Sequence, residues 1–326
     1  MKQAPPAATL YAPCEREGRF FHPWGAERRS LADVLRWQLA RAAGRTRRPR
    51  APVPAVPNDG AALARSVPGP ELTWIGHASF AFHEGDRVVL LDPHLGPRAL
   101  LPKRQSPVGL PLAAIPGDAL ALLSHNHYDH LDAWTLARLP RSIEWLVPVG
   151  LARYVRGFGF EKVREVGWWG EAEVGGWRFT FVPMQHWSNR FGQAPNSTLW
   201  GGWLVDSGRT RLLFAADSGY FHGFAELGRR FAPIDAALLP IGAYAPRWFM
   251  AGVHMDPEEA LLAFEETGAR LLVPHHWGAF DLADEPVDEP PRLLARLLAT
   301  PRFSGLADRV RVPAIGETLA LAAERR

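Results

Sequence analysis

Six consecutive residues carry the densest chemistry in the chain: His125-Asn126-His127-Tyr128-Asp129-His130. Neutral imidazoles and carboxylates are the donors that Zn2+ and similar ions take. The run follows the apolar stretch Ala119–Leu123, which reads as a buried strand. At a strand end His125 and His127 would share a face, because side chains alternate. The turn that follows would aim Asp129 and His130 at a second point. Such a layout suits two metal ions a few ångströms apart. Two ions need more ligands, and three candidates stand just beyond other apolar runs: His186 after Phe179–Val182, Asp217 after Leu212–Ala216, and His276 after Leu271–Val273. Paired cations lower the pKa of a bridging water toward neutrality, which would make hydroxide available as a nucleophile near pH 7.

The elements that must hold these residues are legible in the periodicity. Leu72–Ile75, Ser79–His83, Val88–Leu91 and Trp177–Val182 read as strands, and Leu199–Val205 with Arg211–Ala215 as a hairpin. Ala236–Leu239 and Leu271–Val273 read as short buried strands. Asp132–Leu139 reads as a helix. Pro257–Thr267 is a second helix, with Asp256 and Glu259 forming a capping box and Gly268 ending it. Leu90-Leu91-Asp92 and Phe214-Ala215-Ala216-Asp217 echo one another, each placing an aspartate beyond a strand; Asp92 reads as a group that orients the histidine loop. Strands with interspersed helices and no glycine-rich phosphate loop point to two sheets packed face to face with outer helices.

Residues 1–70 read as a basic arm and 71–326 as the catalytic domain. Eleven of the 37 Lys and Arg lie in the first fifty residues, against four Asp and Glu. Within the arm, Ser30 caps a helix whose apolar stripe is Leu31, Val34, Leu35 and Leu39, with arginines around it. A Pro-rich linker follows. Such a helix either lies on an anionic lipid surface or packs on the protein's own body. A hydrophobic content of 47% excludes disorder, and the single cysteine, Cys14, excludes an internal disulfide. With no secretory signal and no membrane-spanning run, a cytoplasmic location is expected, with peripheral membrane contact as an extension.

The His-x-His-x-Asp-His string resembles the signature of the metallo-β-lactamase superfamily. Its surroundings resemble the N-acylphosphatidylethanolamine phospholipase D branch and its bacterial relatives. The strings that carry this are Thr73-Trp74-Ile75-Gly76-His77-Ala78-Ser79, Gln185-His186-Trp187-Ser188, Ala216-Asp217-Ser218-Gly219-Tyr220, His254-Met255-Asp256-Pro257-Glu258-Glu259-Ala260 and His276-Trp277-Gly278. The resemblance implies an α/β fold, the αββα four-layer sandwich of two mixed sheets. It implies two Zn2+ ions, with Mn2+ or Fe2+ as alternatives. His125, His127 and His186 would hold one ion, Asp129, His130 and His276 the other, and Asp217 would bridge. Asp129 and His254 would be catalytic, while Tyr128, Arg190 and His254 would meet the substrate. Trp168, Trp169, Trp187, Trp248 and Phe249 could form an apolar groove. His77 belongs to the family string with either a structural or a site role; His22, His83, His94 and His222 read as bystanders.

The activity so implied is phosphodiester hydrolysis on a phospholipid or other phosphodiester; a lactonase or small-ester hydrolase with the same metals is the alternative. A nucleic-acid-binding role for the arm is set aside, because a purely structural metal site closes its coordination with four ligands. A homodimer is left open.

Overall fold

A computed structural model describes residues 5–25, 30–43 and 51–322. The N-terminal segment starts with a 3-10 turn at Ala7–Tyr11, forms the short hairpin β1 (Glu15–Arg16) and β2 (Arg19–Phe20) and leads to helix α1 (Leu31–Ala43). Two sheets follow. The first has seven strands: β3 (Val67–Gly76), β4 (Ser79–Gly85), β5 (Arg87–Leu91), β6 (Leu120–Leu122), β7 (Glu144–Pro148) and β8 (Val163–Val166), with β15 (Thr318–Ala320) beside β3 at one edge. The second has six, in the order β14 (Leu271–His275), β13 (Ala236–Pro240), β12 (Arg211–Phe214), β11 (Gly202–Asp206), β10 (Trp177–Val182), β9 (Glu171–Val174). Both sheets are mixed. In each, an antiparallel hairpin (β4–β5 or β11–β12) is followed by a parallel strand (β6 or β13), so the echo of Asp92 in Asp217 is a repeat of topology.

Alternation explains the layers. Phe80, Phe82, Val89, Leu91, Leu120 and Leu122 face the core between the sheets. Ala81, Val88, Leu90, Ala121, Trp145 and Val147 face the other side of the first sheet, under α2 (Ala133–Leu136) and α3 (Ala152–Arg156). A sheet buried on both faces reads as continuous apolar runs, as these do. Helices α4 (Gly223–Phe231), α6 (Pro257–Thr267) and α7 (Glu289–Leu298) go with the second sheet; Phe224, Leu227, Leu261, Phe264 and Leu294 join its core. The result is the αββα sandwich.

Two expectations are corrected. Residues 5–25 and 51–66 are not an arm, since Leu10, Phe20 and Trp24 enter the main core and Leu63 the second one. Helix α1 does dock on the body, but not through its leucine stripe. The anchors are Trp37, whose ring stacks on Phe249 of the short helix α5 (Arg247–Met250) at 4.9 Å, and Arg41, which bonds Asp281 and the Leu282 carbonyl. Leu35 and Leu39, on the opposite side, are 64% and 71% exposed. The side chain of Leu31, like residues 44–50 of the basic run, lies outside the described residues. No helix among the described residues is long and apolar enough to cross a membrane.

Candidate metal centre

The histidine loop leaves β6 at Leu122 and has no strand pairing beyond it, so alternation does not aim His125 and His127. Side chains do. Asp92, at the end of β5, accepts the Ser124 N–H at 2.7 Å, the Ser124 hydroxyl, and His130 Nδ1 at 2.7 Å. Because Ser124 Oγ gives its proton to Asp92, it accepts from His125 Nδ1 at 2.8 Å, which leaves His125 Nε2 as the bare nitrogen. His186 likewise gives Nδ1–H to the Val253 carbonyl at 3.0 Å and turns Nε2 inward. Such partners fix the tautomer of a ligating imidazole. Asp132 caps α2 and so anchors the far end of the loop.

Two clusters result. In the first, His127 Nδ1 lies 2.9 Å from His125 Nε2 and 3.1 Å from His186 Nε2, and Asp217 Oδ2 lies 3.9 and 3.6 Å from the latter two nitrogens. In the second, Asp129 Oδ2 lies 3.3 Å from His276 Nε2 and 3.7 Å from His130 Nε2. Asp217 reaches both: Oδ2 is 3.2 Å from His130 Nε2, and Oδ1 is 2.9 Å from His276 Nε2. His127 Nδ1 is hydrogen-bonded within the first cluster, but His130 Nε2, His276 Nε2 and Asp217 Oδ1 are buried with no hydrogen-bond partner among the described residues. Imidazole nitrogens and a carboxylate oxygen converging without partners in a dry site are costly unless a cation stands among them. Five histidines and two aspartates, with no sulfur donor, fit a pair of divalent ions.

The electrostatics agree. Burial and the neighbouring imidazole of His186 hold His127 down at about 3, and burial holds His186 down at about 4, so both are neutral. Against burial, the imidazoles of His130 and His276 hold the carboxyls of Asp129 and Asp217, respectively, well below the usual range, so both are ionised. The backbone is strained at the same place. His77, Asp92, Ala216 and His276 all have positive φ, at 56°, 38°, 49° and 65°. Strain in non-glycine residues persists where the surroundings over-determine it, which is commonest at functional sites.

The remaining candidates fall out unevenly. His254 joins the clusters: its Nδ1 is 4.0 Å from Asp217 Oδ2, and burial keeps the ring neutral. Tyr128 is half-buried, and its hydroxyl accepts the Phe191 N–H at 3.0 Å. Arg190 does not stand free for a phosphate. It is 6% exposed, Nη1 donates to the carbonyls of Asn126 and Leu131, and the guanidinium lies between the Tyr128 and Tyr154 rings. His275, next to His276, points away into the core against Phe80 and Phe214. The five aromatics do not form one groove. Trp187 packs edge-on against His127 and Trp248 is exposed, but Trp168 and Trp169 pack with the N-terminal segment and Phe249 under α1. Sequence reasoning left His77 unassigned; its Nε2 lies 2.9 Å from Asp129 Oδ2.

Comparison with known proteins places the chain. Residues 87–277 match the model of the beta-lactamase superfamily domain, and the chain belongs to that family. An uncharacterised protein of Mycobacterium tuberculosis is 36% identical over 312 residues, 89% of this chain and 81% of its own. A metal-dependent hydrolase of Methanopyrus kandleri is 30% identical, over 69% of this chain and 90% of its own. The N-acyl-phosphatidylethanolamine-hydrolyzing phospholipase D 1 of Caenorhabditis elegans is 35% identical over 229 residues, 64% of each chain. Among solved structures, the metallo hydrolase Igni18 of Ignicoccus hospitalis superposes with a TM-score of 0.58 at 23% identity, covering 77% of this chain and 97% of that one. The chain is thus a metal-dependent hydrolase of the metallo-β-lactamase superfamily.

Proposed function

We propose that the protein is a phosphodiesterase of the N-acylphosphatidylethanolamine-hydrolysing phospholipase D kind, using two zinc ions. The observation that carries the reading is the pair of ligand clusters joined by Asp217, with His254 on their flank. Bound there, divalent ions supply Lewis acidity and a nucleophilic water near neutral pH. The chain's own residues do the rest. Asp92, Ser124 and the Val253 carbonyl keep His130, His125 and His186 aimed; Asp217 holds the two clusters at one spacing; Trp187 packs edge-on against His127. His254, neutral and facing Asp217, is placed to hydrogen-bond a non-bridging phosphoryl oxygen. In the reaction, water oxygen bonds to phosphorus, the phosphorus–oxygen bond to the N-acylethanolamine breaks, and the leaving oxygen takes a proton. The likeness to the C. elegans enzyme, at 35% identity, supports this substrate class.

A lipid substrate also gives the exposed apolar side chains a role. Leu35 and Leu39 on α1, Trp248 beside it, Leu100 and Leu101, and Trp187 and Phe191 are all exposed. Two of these segments adjoin the centre: in one Trp187 touches His127 and Phe191 bonds Tyr128, and in the other Ala99 packs on Phe280, which touches His77. Exposed Arg36 lies over the Trp248 ring, and Arg98 and Lys103 flank the leucine pair. Apolar groups among cations suit an anionic lipid surface and oppose self-association of the same basic face.

The test is hydrolysis of an N-acylated phosphatidylethanolamine against a sugar lactone, with zinc supplied. Release of the N-acylethanolamine and phosphatidic acid supports the reading. Lactone turnover without any phosphodiester turnover overturns it. For the surface, L35S/L39S protein should sediment less with anionic vesicles than wild type while hydrolysing a water-soluble phosphodiester equally; equal sedimentation removes the surface role.

A further inference from the structure

His77 stands outside the seven-ligand set, yet three independent features tie it to the second cluster. Its Nε2 is 2.9 Å from Asp129 Oδ2, the oxygen that faces His276 and His130. Its carbonyl accepts the His276 N–H at 3.1 Å, along with the indole N–H of Trp74 at 2.9 Å. Its backbone is left-handed, at φ 56°, beside an irregularity where the β3–β4 register shifts between Trp74 and Gly76. A regular two-residue step there would carry the side chain elsewhere. The ring is 1% exposed, wedged against His276 at 4.1 Å and Phe280 at 5.2 Å.

We propose that His77 is the positioning residue of the second metal position: its side chain orients the Asp129 carboxylate and its main chain seats His276. The alternative is that Nε2 itself binds the ion, since it lies within 4.8 Å of the ligand atoms of Asp129, His130 and His276. Its 2.9 Å hydrogen bond to Asp129 Oδ2 favours the positioning role, because an Nε2 that donates its proton to a carboxylate has no lone pair for a metal. One metal position would therefore depend on His77 and the other, held by His125, His127 and His186, would not.

The experiment rests on the metal-centre reading and can fail separately from it. Stepwise Zn2+ affinities of the full-length protein are measured by chelator competition, and Co2+ absorption spectra are recorded, for wild type, H77A and H77Q. Loss of an outer partner typically costs 10–100-fold in metal affinity. The expected result is one affinity weakened by about that factor in H77A and the other unchanged. In H77Q, whose amide N–H replaces the imidazole donor, the weakened affinity recovers and the Co2+ spectrum matches wild type. Unchanged affinities in H77A overturn the proposal, as does equal weakening of both ions. A changed Co2+ spectrum in loaded H77Q makes His77 a ligand and also overturns it. If H77A does not fold, H77Q decides alone. Wild type that binds no metal sinks the underlying reading instead.

Discussion

From its place four residues after His186, Arg190 reads as a contact for a substrate phosphate, and the structure gives it other work. Its Nη1 bridges the carbonyls of Asn126 and Leu131, the two ends of the turn that bears His127, Asp129 and His130. Its segment also carries His186, so one guanidinium locks the two ligand-bearing loops together. R190M should therefore lower stability by about 2–3 kcal/mol and weaken metal binding, because two buried carbonyls lose a charged donor. Thermal unfolding and metal titration check this. A mutant with normal metal binding and stability but a raised KM would restore the phosphate role. The contrast shows what a sequence reveals at this scale. Ligands are legible because imidazole and carboxylate at tight spacing have few other uses. Arg190 and His77 are not, because their partners are two main-chain carbonyls and a carboxylate 52 residues away, and neither leaves a pattern in the chain.

Helix α6 has the bounds its sequence announces, because the Asp256–Glu259 capping box and the left-handed Gly268 are local devices. Helix α1 also forms where Ser30 caps it, with Ser30 and Asp33 bonding each other reciprocally. Its docking side was not legible from the stripe. Leucine spacing marks an apolar face, but the shape-matched anchor is Trp37, stacked on Phe249 and bonded to Asp284 at 3.1 Å. W37A should release the helix at a cost of about 2–4 kcal/mol, since it removes a buried aromatic and its hydrogen bond. Limited proteolysis should then cut within 31–43 while the sandwich stays intact. Unchanged protection of that stretch would mean that Arg41 alone holds it. The short strands β8, β9 and β15 went unread because they are partly exposed and carry no continuous apolar run of the kind that marks β6, β13 and β14. The two-sheet arrangement was readable, because alternation in the longer strands sets both faces.

At the scale of the molecule, the centre makes the metal-free protein sensitive to acid. Burial lowers His77 and His127 to about 3 and His94 and His186 to about 4, against about 6.5 in an unfolded chain. A depressed histidine contributes stability that is present above 6.5 and is lost as pH falls toward its folded value, because only the unfolded chain takes up the proton. His276, raised to about 9 by Asp217 against burial, works in the opposite sense, but its contribution fades only as pH rises through that value. Asp129 and Asp217 change only below about 4. Between pH 6.5 and 4.5 the depressed histidines therefore dominate, each contributing up to about 1.4 kcal/mol per pH unit. The melting temperature of metal-free protein should fall steadily across that window, and a flat profile would count against neutral buried imidazoles. The most direct check on a two-metal hydrolase joined by Asp217 is the metal content of purified protein, measured with activity before and after stripping and for D217A. Two ions per chain, activity lost on stripping and regained with Zn2+, and fewer than two ions with no activity in D217A are the expected results. Full activity with one ion or none would contradict it.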